Sequence, residues 1–326
     1  MKPLLIVLTP VRNEAWVLPA FLKATSLWAD YIIIADQMST DGSRDIYPQY
    51  KKVIVIDNPR LEMHQAKTRK LLFNEAKKIP GDKILFTLDA DEFLSGDFMS
   101  TPSWNLILNS VPNDIFCFSW INLLSNPSKH TVQIPFHWAS HVDEEVDNGT
   151  FPDNQIHEYR LPWPHKIQHE YTIKDISFIH VANLNTIRQY NKQRFYQVST
   201  AFHNEQYSGI RLYRTYYPYS GHKKVFSTPK GIYDYYLSKG LDILQELNLT
   251  DEGQHYIQNM LSNIQEKGAK HFRKINIWDK DFCKKYNIQD PRSWFDKLIF
   301  LYLRLTSRYS NTLFIRGIDK LLKKIY

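Results

Sequence analysis

The chain has 326 residues, of which 43% are hydrophobic. Its mean hydropathy of −0.43 is typical of one large or two smaller globular domains. Its two cysteines, Cys117 and Cys283, lie far apart, which argues against a disulfide framework or a CxxC zinc site and favours a reducing compartment. A net charge of +7 indicates an anionic partner, whether nucleic acid, phospholipid or nucleotide.

The first 96 residues alternate between short apolar runs and amphipathic segments. One helix is predicted to begin at Pro19, because the fixed φ of proline suits a first helical position. Another is predicted over "HQAKTRKLLFNEAKKI". Continuously apolar strands that alternate with helices predict a parallel sheet covered on both faces. The predicted strands are Leu4–Thr9, Tyr31–Asp36, Lys52–Asp57 and the segment "KILFTLD" that starts at Lys83.

The pattern is less regular after residue 96. A strand is predicted over Ile115–Leu124, and a loop-rich stretch with the short strands "HEYTI" and "ISFIHVA" is predicted between Thr131 and Leu184. Beyond Asn185 the sequence is mostly helical. The predicted organisation is therefore an α/β domain over residues 1–184, with halves 1–96 and 97–184, and a mainly helical C-terminal region over 185–326.

Three carboxylates, those of Asp89, Asp91 and Glu92, stand together directly after the fourth predicted strand. They repel one another unless a cation or a hydrogen-bond donor lies among them. In a parallel sheet, ligands bind beyond the carboxyl ends of the strands, and carboxylate oxygens are ligands for Mg²⁺ or Mn²⁺. The cluster therefore indicates a site for a divalent cation and a phosphorylated ligand. A DxD motif without this context also fits a solvated acidic turn.

Three segments resemble the family 2 glycosyltransferases, which have the GT-A fold. They are "TPVRNE", "ADQMSTDGSRDI" and "QAKTRKLLFNEAKKIPGDKILFTLDADE", and within residues 1–96 they follow the order and spacing of that family. The resemblance implies a Rossmann-like, mostly parallel sheet and a Mn²⁺ or Mg²⁺ cofactor. It also implies a nucleotide-sugar donor, with a UDP-sugar favoured, and a glycan or lipid-linked acceptor in cell-envelope polysaccharide or glycoconjugate synthesis.

The resemblance also implies site residues by position. Asp91 would be the main metal ligand, and Gln37 stands where the family often has a second aspartate, although its amide can still hydrogen-bond a base. Lys67 is equally compatible with an exposed basic helix face. The implied donor-binding residues are Thr9, Pro10, Arg12, Asn13, Glu14, Asp36, Gln37, Lys67, Arg69 and Asp89. The implied metal ligands are Asp89, Asp91 and His180.

An inverting transferase needs a base that takes the proton from the acceptor hydroxyl. In the branch of the family that carries "ADQ.STDGS", a His-Glu dipeptide and a later histidine follow, and His169–Glu170 and His180 match them. Glu170 is the favoured base, and Asp153 and Glu145 are competing carboxylates. A histidine at a strand end is also often structural, so His180 has two interpretations.

The segment from Ser293 to Tyr326 combines aromatic, aliphatic and basic residues. Such a stretch either packs its apolar face against the protein, which is the more common case, or lies on an anionic membrane surface. The second interpretation suits a lipid-linked acceptor. We expect a cytoplasmic protein, with peripheral contact at the inner face of a membrane under the second interpretation, since no apolar run reaches the roughly 18 residues of a spanning helix.

Three other functions stay open at this point. A sugar-phosphate nucleotidyltransferase has a similar sheet, but it is expected to carry a Gly-rich loop where "TPVRNEAW" has no glycine. A haloacid-dehalogenase-type phosphatase also uses DxD, but Phe93 stands where Thr or Val is expected. A non-catalytic nucleic-acid or membrane-binding module leaves the ordered carboxylates unexplained, so a nucleic-acid partner is not expected.

Overall fold

A computed structural model describes residues 2–59, 65–142, 160–162, 164–216 and 224–326. The strands are β1 (Leu4–Val11), β2 (Tyr31–Asp36), β3 (Val53–Asp57), β4 (Lys83–Thr87), β5 (Glu92–Leu94), β6 (Ile115–Leu123), β7 (Lys129–Val142), β8 (Glu170–His180) and β9 (Val225–Ser227). The helices are α1 (Leu18–Ser26), α2 (Ser43–Ile46), α3 (Gln65–Lys77), α4 (Pro102–Leu108), α5 (Thr186–His203), α6 (Gly209–Tyr216), α7 (Asp234–Ser238), α8 (Gln254–Lys267), α9 (Lys280–Lys285), α10 (Trp294–Leu305) and α11 (Leu313–Leu322).

One sheet contains these nine strands in the order β3-β2-β1-β4-β7-β6-β8-β5, and β9 pairs with β7. The first four strands are parallel, β7 is antiparallel to both β4 and β6, and β8 is parallel to β6. The predicted fold class is confirmed: an α/β structure of GT-A type with a large central sheet and flanking helices, followed by a mainly helical region.

The parallel strands bring their carboxyl ends to one edge of the sheet. Val11 of β1 pairs with Asp36 of β2, and Asp36 pairs with Asp57 of β3. On the other side of β1, Leu8 pairs with Thr87 at the end of β4. The turns that follow β1, β2 and β4 therefore all begin at this edge, as the sequence predicts.

An aromatic cluster supports the strand that carries the acidic residues. Phe86 of β4 is fully buried, and its ring centroid lies 5.2 Å from that of Trp28 and 5.9 Å from that of Trp104. Phe98 lies 5.0 Å from Trp104 in an edge-on arrangement. Aromatic pairs of this kind contribute about 0.5–1.5 kcal/mol beyond their area burial, so the acidic turn emerges from a rigid part of the core.

Strands β7 and β8 are longer than the sequence indicated. The prediction placed short strands in a loop-rich stretch, whereas β7 has 14 residues and β8 has 11. "HEYTI" and "ISFIHVA" are largely parts of the single strand β8. The exposed Lys174 and Asp175 between them lie within that strand, because a strand tolerates charged residues on a solvated face.

The chain divides into two compact units. The first contains residues 1–184 and 225–249. The second contains residues 185–224 and 250–326 and has its own core, with Val198, Met260 and Trp278 almost completely buried. Among the described helices, none has the combined length and hydropathy that crossing a bilayer requires.

Candidate active site

The acidic turn between β4 and β5 holds three carboxylates close together. Side-chain oxygens of Asp89, Asp91 and Glu92 all lie within 4.8 Å of one another. The backbone closes the turn, since the amide of Glu92 donates to the carbonyl of Asp89 at 3.0 Å and the amide of Asp89 donates to Glu92 Oε2 at 2.9 Å. Asp91 and Glu92 are buried, whereas 38% of the Asp89 side chain is exposed. The positions of these carboxylates are therefore fixed by the fold.

Two guanidinium groups lie among these carboxylates. Arg160 donates to Glu92 Oε2 at 2.5 Å, to Glu92 Oε1 at 2.7 Å and to Asp89 Oδ2 at 3.0 Å. Arg69 of α3 donates to Asp89 Oδ1 at 2.6 Å. Three negative charges thus face two positive ones, and these bonds hold Asp89 and Glu92 in place.

The arginines shift the carboxyl pKa values in different ways. Burial favours the protonated form of Asp89, but the guanidiniums of Arg160 and Arg69 outweigh it and hold the pKa of Asp89 below its ordinary value. For Glu92, burial prevails over the attraction of Arg160 and raises the pKa. Asp89 is therefore the more anionic of the two.

Arg160 is also held by aromatic rings. Its guanidinium carbon lies 4.9 Å from the ring centroid of Trp138 and 6.0 Å from that of Trp120, distances at which a cation is attracted to an aromatic face. The sequence places Glu92 in the acidic cluster but does not identify Arg160 as its partner. A carboxylate within an apolar strand predicts a buried charge, and a buried charge requires a cationic partner. The residues near Glu92 in sequence do not identify that partner, because Arg160 lies 68 residues away.

His180 and Asp91 lie side by side in the structure. His180 Nε2 lies 3.3 Å from Asp91 Oδ2, and His180 Nδ1 lies 2.7 Å from Asn122 Oδ1. Because Nδ1 lies within hydrogen-bond distance of the Asn122 oxygen, Nε2 is the ring nitrogen that faces Asp91. The amide of Val181 donates to the Asp91 carbonyl at 3.0 Å, which ties the end of β8 to the acidic turn.

Glu170 lies at the other end of β8 from His180. An extended strand rises about 3.3 Å per residue, so roughly 30 Å of strand separates the two. Glu170 pairs with Ile115, is exposed and accepts a weak 3.7 Å hydrogen bond from the Cys117 thiol. Glu170, the favoured base, therefore lies far along β8 from His180 and from the acidic turn. Asp153 and Glu145 lie outside the described residues.

The turn after β1 is held against the turn after β2. Asn13 adopts a left-handed φ of 57°, its amide donates to Ser39 Oγ at 2.9 Å, and its side-chain oxygen accepts from the amide of Thr40 at 2.7 Å. Glu14 Oε2 accepts from the indole of Trp16 at 2.6 Å. These contacts shape the turn that the resemblance implies for donor binding. Arg12 in this turn and Pro10 near the end of β1 are partly exposed.

Asp36 is fully buried and accepts several hydrogen bonds from the protein. Its Oδ1 accepts from the amide of Ser39 at 3.0 Å and from Arg44 at 2.7 Å, and its Oδ2 accepts from the Tyr47 hydroxyl at 2.6 Å. This arrangement favours a role for Asp36 in shaping the turn rather than in direct donor contact. Gln37, next in sequence, is partly exposed, and its backbone amide donates to the Val11 carbonyl.

The remaining predicted donor residues differ in accessibility. Thr9 is fully buried, and its hydroxyl has no hydrogen-bond partner among the described residues. Arg69 is buried against Asp89, whereas Lys67 lies on the exposed side of α3. Lys67 is thus the more accessible of the two cations for a ligand.

The residues of the acidic turn suit a divalent cation. Asp91 offers carboxylate oxygens, and His180 offers Nε2 beside it, a donor set that Mn²⁺ accepts and that Mg²⁺ accepts in part. Asp89 is a further oxygen donor, shared with the arginines. Glu92 is a poorer donor, because both of its oxygens accept from Arg160. The predicted ligands Asp89, Asp91 and His180 therefore fit a cation better than Glu92 does.

A parallel half-sheet with turns at its carboxyl edge is followed by an acidic turn whose residues fit a divalent cation. Residues 6–101 match the family model described as glycosyl transferase family 2. The match confirms the resemblance described above and supports the enzyme class, a glycosyltransferase.

One solved structure similar to part of the chain is that of a mannose-1-phosphate geranyltransferase from Thermus thermophilus. The identity is 13% and the TM-score is 0.28, with 43% of this chain and 50% of that chain covered. The chain thus spans half the length of that structure. No curated protein matches the sequence.

Proposed function

We propose that the protein is a metal-dependent, inverting glycosyltransferase that moves a sugar from a nucleotide-sugar donor to a glycan or lipid-linked acceptor. The observation that carries the proposal is the meeting of Asp91 and His180 beside the buried pair of Glu92 and Arg160, at the carboxyl edge of a parallel half-sheet. The family match over residues 6–101 includes the acidic turn. A UDP-sugar donor and a role in cell-envelope polysaccharide or glycoconjugate synthesis belong to the same proposal.

The residues around the turn have separable roles in this proposal. The turns after β1 and β2, fixed by Asn13 and Asp36, bind the nucleoside. Arg69 and Arg160 offset the charge of Asp89 and Glu92, so that a donor diphosphate does not meet three uncompensated carboxylates. A divalent cation bound by Asp91 and His180, with Asp89, would act as a Lewis acid that stabilises the departing nucleoside diphosphate.

The acceptor hydroxyl needs a base as its oxygen attacks the anomeric carbon. Since Glu170 lies far from the acidic turn, Asp153 is the proposed base. Its replacement, Asp153→Asn, should preserve binding of donor and metal and abolish sugar transfer. Near-normal transfer by this variant would exclude Asp153.

The proposed function is tested first by thermal unfolding in the presence of Mn²⁺, UDP or both. We expect stabilisation by the two together, loss of this effect in Asp91→Asn, and its retention in Asp97→Asn, which changes an exposed carboxylate six positions further on. Stabilisation by RNA at matched ionic strength, with no response to nucleotide and metal, would contradict the proposal. Hydrolysis assays with UDP-, GDP-, CMP- and dTDP-sugars then identify the nucleotide.

A further inference from the structure

Helix α10 is apolar on two opposite sides. Its inner side buries Ile299, Phe300 and Leu303. Its outer side has an apolar stripe at the helical spacing i, i+4, i+7 and i+11, formed by Trp294, Leu298, Leu301 and Leu305. The helix of a globular protein normally has polar residues opposite its buried stripe. Here Trp294 is 73% exposed and Leu305 66% exposed, so the described residues leave much of the outer stripe open to solvent.

Helix α11 and the last residues extend this apolar exposure. Leu313 is 86% exposed, Phe314 75% and Leu321 66%. Of the 24 large hydrophobic side chains exposed in the described part of the chain, ten lie between residues 293 and 326. We refer to the exposed side chains of α10, α11 and the residues that join and follow them as the C-terminal face.

Buried polar contacts hold the two helices together. The hydroxyl of Tyr302 on α10 donates to Asp319 Oδ1 on α11 at 2.8 Å. Arg214 donates to both oxygens of Asp319, at 2.9 and 3.2 Å, and to the Leu303 carbonyl at 3.1 Å. The exposed side chains of α10 and α11 therefore belong to one packed structure.

The exposed charges of the C-terminal face are all positive. Between residues 293 and 326 there are seven Lys and Arg residues and two Asp residues, which gives +5 of the chain's net +7. The two carboxylates are buried, Asp296 with Arg273 and Asp319 with Arg214. The exposed cations are Lys297, Arg304, Arg308, Arg316, Lys320, Lys323 and Lys324.

We propose that the C-terminal face binds the surface of a bilayer containing anionic phospholipids. Leucine and aromatic side chains would enter the boundary between headgroups and acyl chains, while the flanking Lys and Arg side chains reach the lipid phosphates. Each such cation contributes on the order of a fivefold gain in binding near an anionic surface. A nucleic acid would satisfy the cations and leave the apolar stripe in water. A second copy of the chain would bring the same +5 against it.

The inference does not rest on the proposed function, because the C-terminal face and the acidic turn belong to different compact units. It is tested with the full 326-residue chain by sedimentation with vesicles. One set contains equal parts of phosphatidylglycerol and phosphatidylcholine, and the other contains phosphatidylcholine alone. We expect binding to the anionic vesicles, weakening as the salt concentration rises, and little binding to the neutral ones.

Two variants test whether vesicle binding depends on the C-terminal face or on exposed leucines in general. Leu298→Asp removes a leucine that is 52% exposed on α10, and Leu237→Asp changes a leucine of the same exposure on α7. The first should weaken binding to anionic vesicles on the order of tenfold, since it removes buried carbons and adds a repelled charge. The second should bind like the wild type.

Three outcomes would overturn the proposal: no binding to anionic vesicles, equal loss of binding in the two variants, or dimerisation without lipid that Leu298→Asp abolishes. The last result would assign the face to a second copy of the chain. Stabilisation by Mn²⁺ and UDP, measured in the same preparations, reports the state of the donor site independently. A protein that keeps this response but fails to bind vesicles would contradict the membrane proposal alone.

Discussion

Arg160 binds Glu92 through both terminal nitrogens of its guanidinium, at 2.5 and 2.7 Å, and Glu92 is fully buried. A bidentate ion pair of this kind fixes the orientation of both side chains. Arg160 also donates to Asp89, so the orientation of the acidic turn depends on this arginine.

Replacement of Arg160 by methionine should destabilise the protein strongly. The variant leaves Glu92 buried without its cation, which costs about 3–5 kcal/mol when one partner of a buried pair is removed. The double variant Arg160→Met, Glu92→Gln should recover much of that loss because no buried charge remains. The measurement is the free energy of unfolding in urea, with Arg211→Met, an exposed arginine, as the control. A single variant as stable as the wild type would show that water already solvates Glu92.

Asn122 should influence metal affinity without touching the metal. Its oxygen accepts from His180 Nδ1, and loss of such a bond typically weakens metal binding by about 10- to 100-fold. Asn122→Leu should show this loss for Mn²⁺ in isothermal titration calorimetry. Asn183→Ala is the control, because Asn183 donates to the Leu123 carbonyl instead. Unchanged Mn²⁺ affinity in Asn122→Leu would indicate that His180 has a structural role.

Asp296 should make the free energy of unfolding depend on pH under acidic conditions. Burial favours its protonated form, but hydrogen bonds from Ser293 and Arg273 outweigh this and place the folded pKa below the ordinary value of 3.8. A carboxylate with a depressed folded pKa contributes stability above its unfolded pKa and loses it as the pH falls through the folded pKa. The difference in unfolding free energy between wild type and Asp296→Asn should therefore be constant above about pH 5 and shrink below about pH 4.

Urea unfolding at several pH values measures this difference. The matched control is Asp281→Asn, which changes an exposed carboxylate in the first turn of α9. Its difference from the wild type should stay small at every pH. A difference for Asp296→Asn that does not change between pH 7 and pH 3 would contradict the prediction.

Two glycines should respond to alanine in opposite directions. A Cβ at Gly209 would lie 2.3 Å from the Lys274 carbonyl oxygen, so Gly209→Ala should destabilise the protein by about 1–3 kcal/mol. At Gly317, inside α11, no atom lies within 4 Å of the added Cβ. Gly317→Ala should therefore stabilise the helix by about 0.5–1 kcal/mol. Thermal unfolding of the two variants, made in parallel, checks both signs, and equal shifts would contradict the packing at Gly209.

The N-terminal half could be predicted from the sequence because its signals are local. Mainly apolar runs of five or six residues predict the buried parallel strands β2 and β4. The acidic turn directly follows β4, as this pattern predicts. The buried residues of α3 include Ala66, Leu72, Phe73 and Ala76, at helical spacing. Each of these features depends on neighbours within one element.

The second half could not be predicted to the same extent because its decisive contacts join distant segments. The irregular pairing of β6 with β8 near Phe118 and Ser119 has no local sequence signal. The separation of Glu170 from His180 has a related cause, because an extended strand places residues ten positions apart at its opposite ends. The arginines that bind the acidic turn come from α3 and from residue 160, which no motif connects.

The acidic turn has an anchor at each end, and these anchors belong to different parts of the sheet. It begins at β4, among the parallel strands, and ends in β5, whose partner is β8. Engineers who wish to change the acceptor by grafting residues 1–96 onto another enzyme would therefore transplant the carboxylates without the strand that holds their far end. A working chimera would have to carry β8 with its histidine, or recreate an equivalent edge for β5 in the recipient.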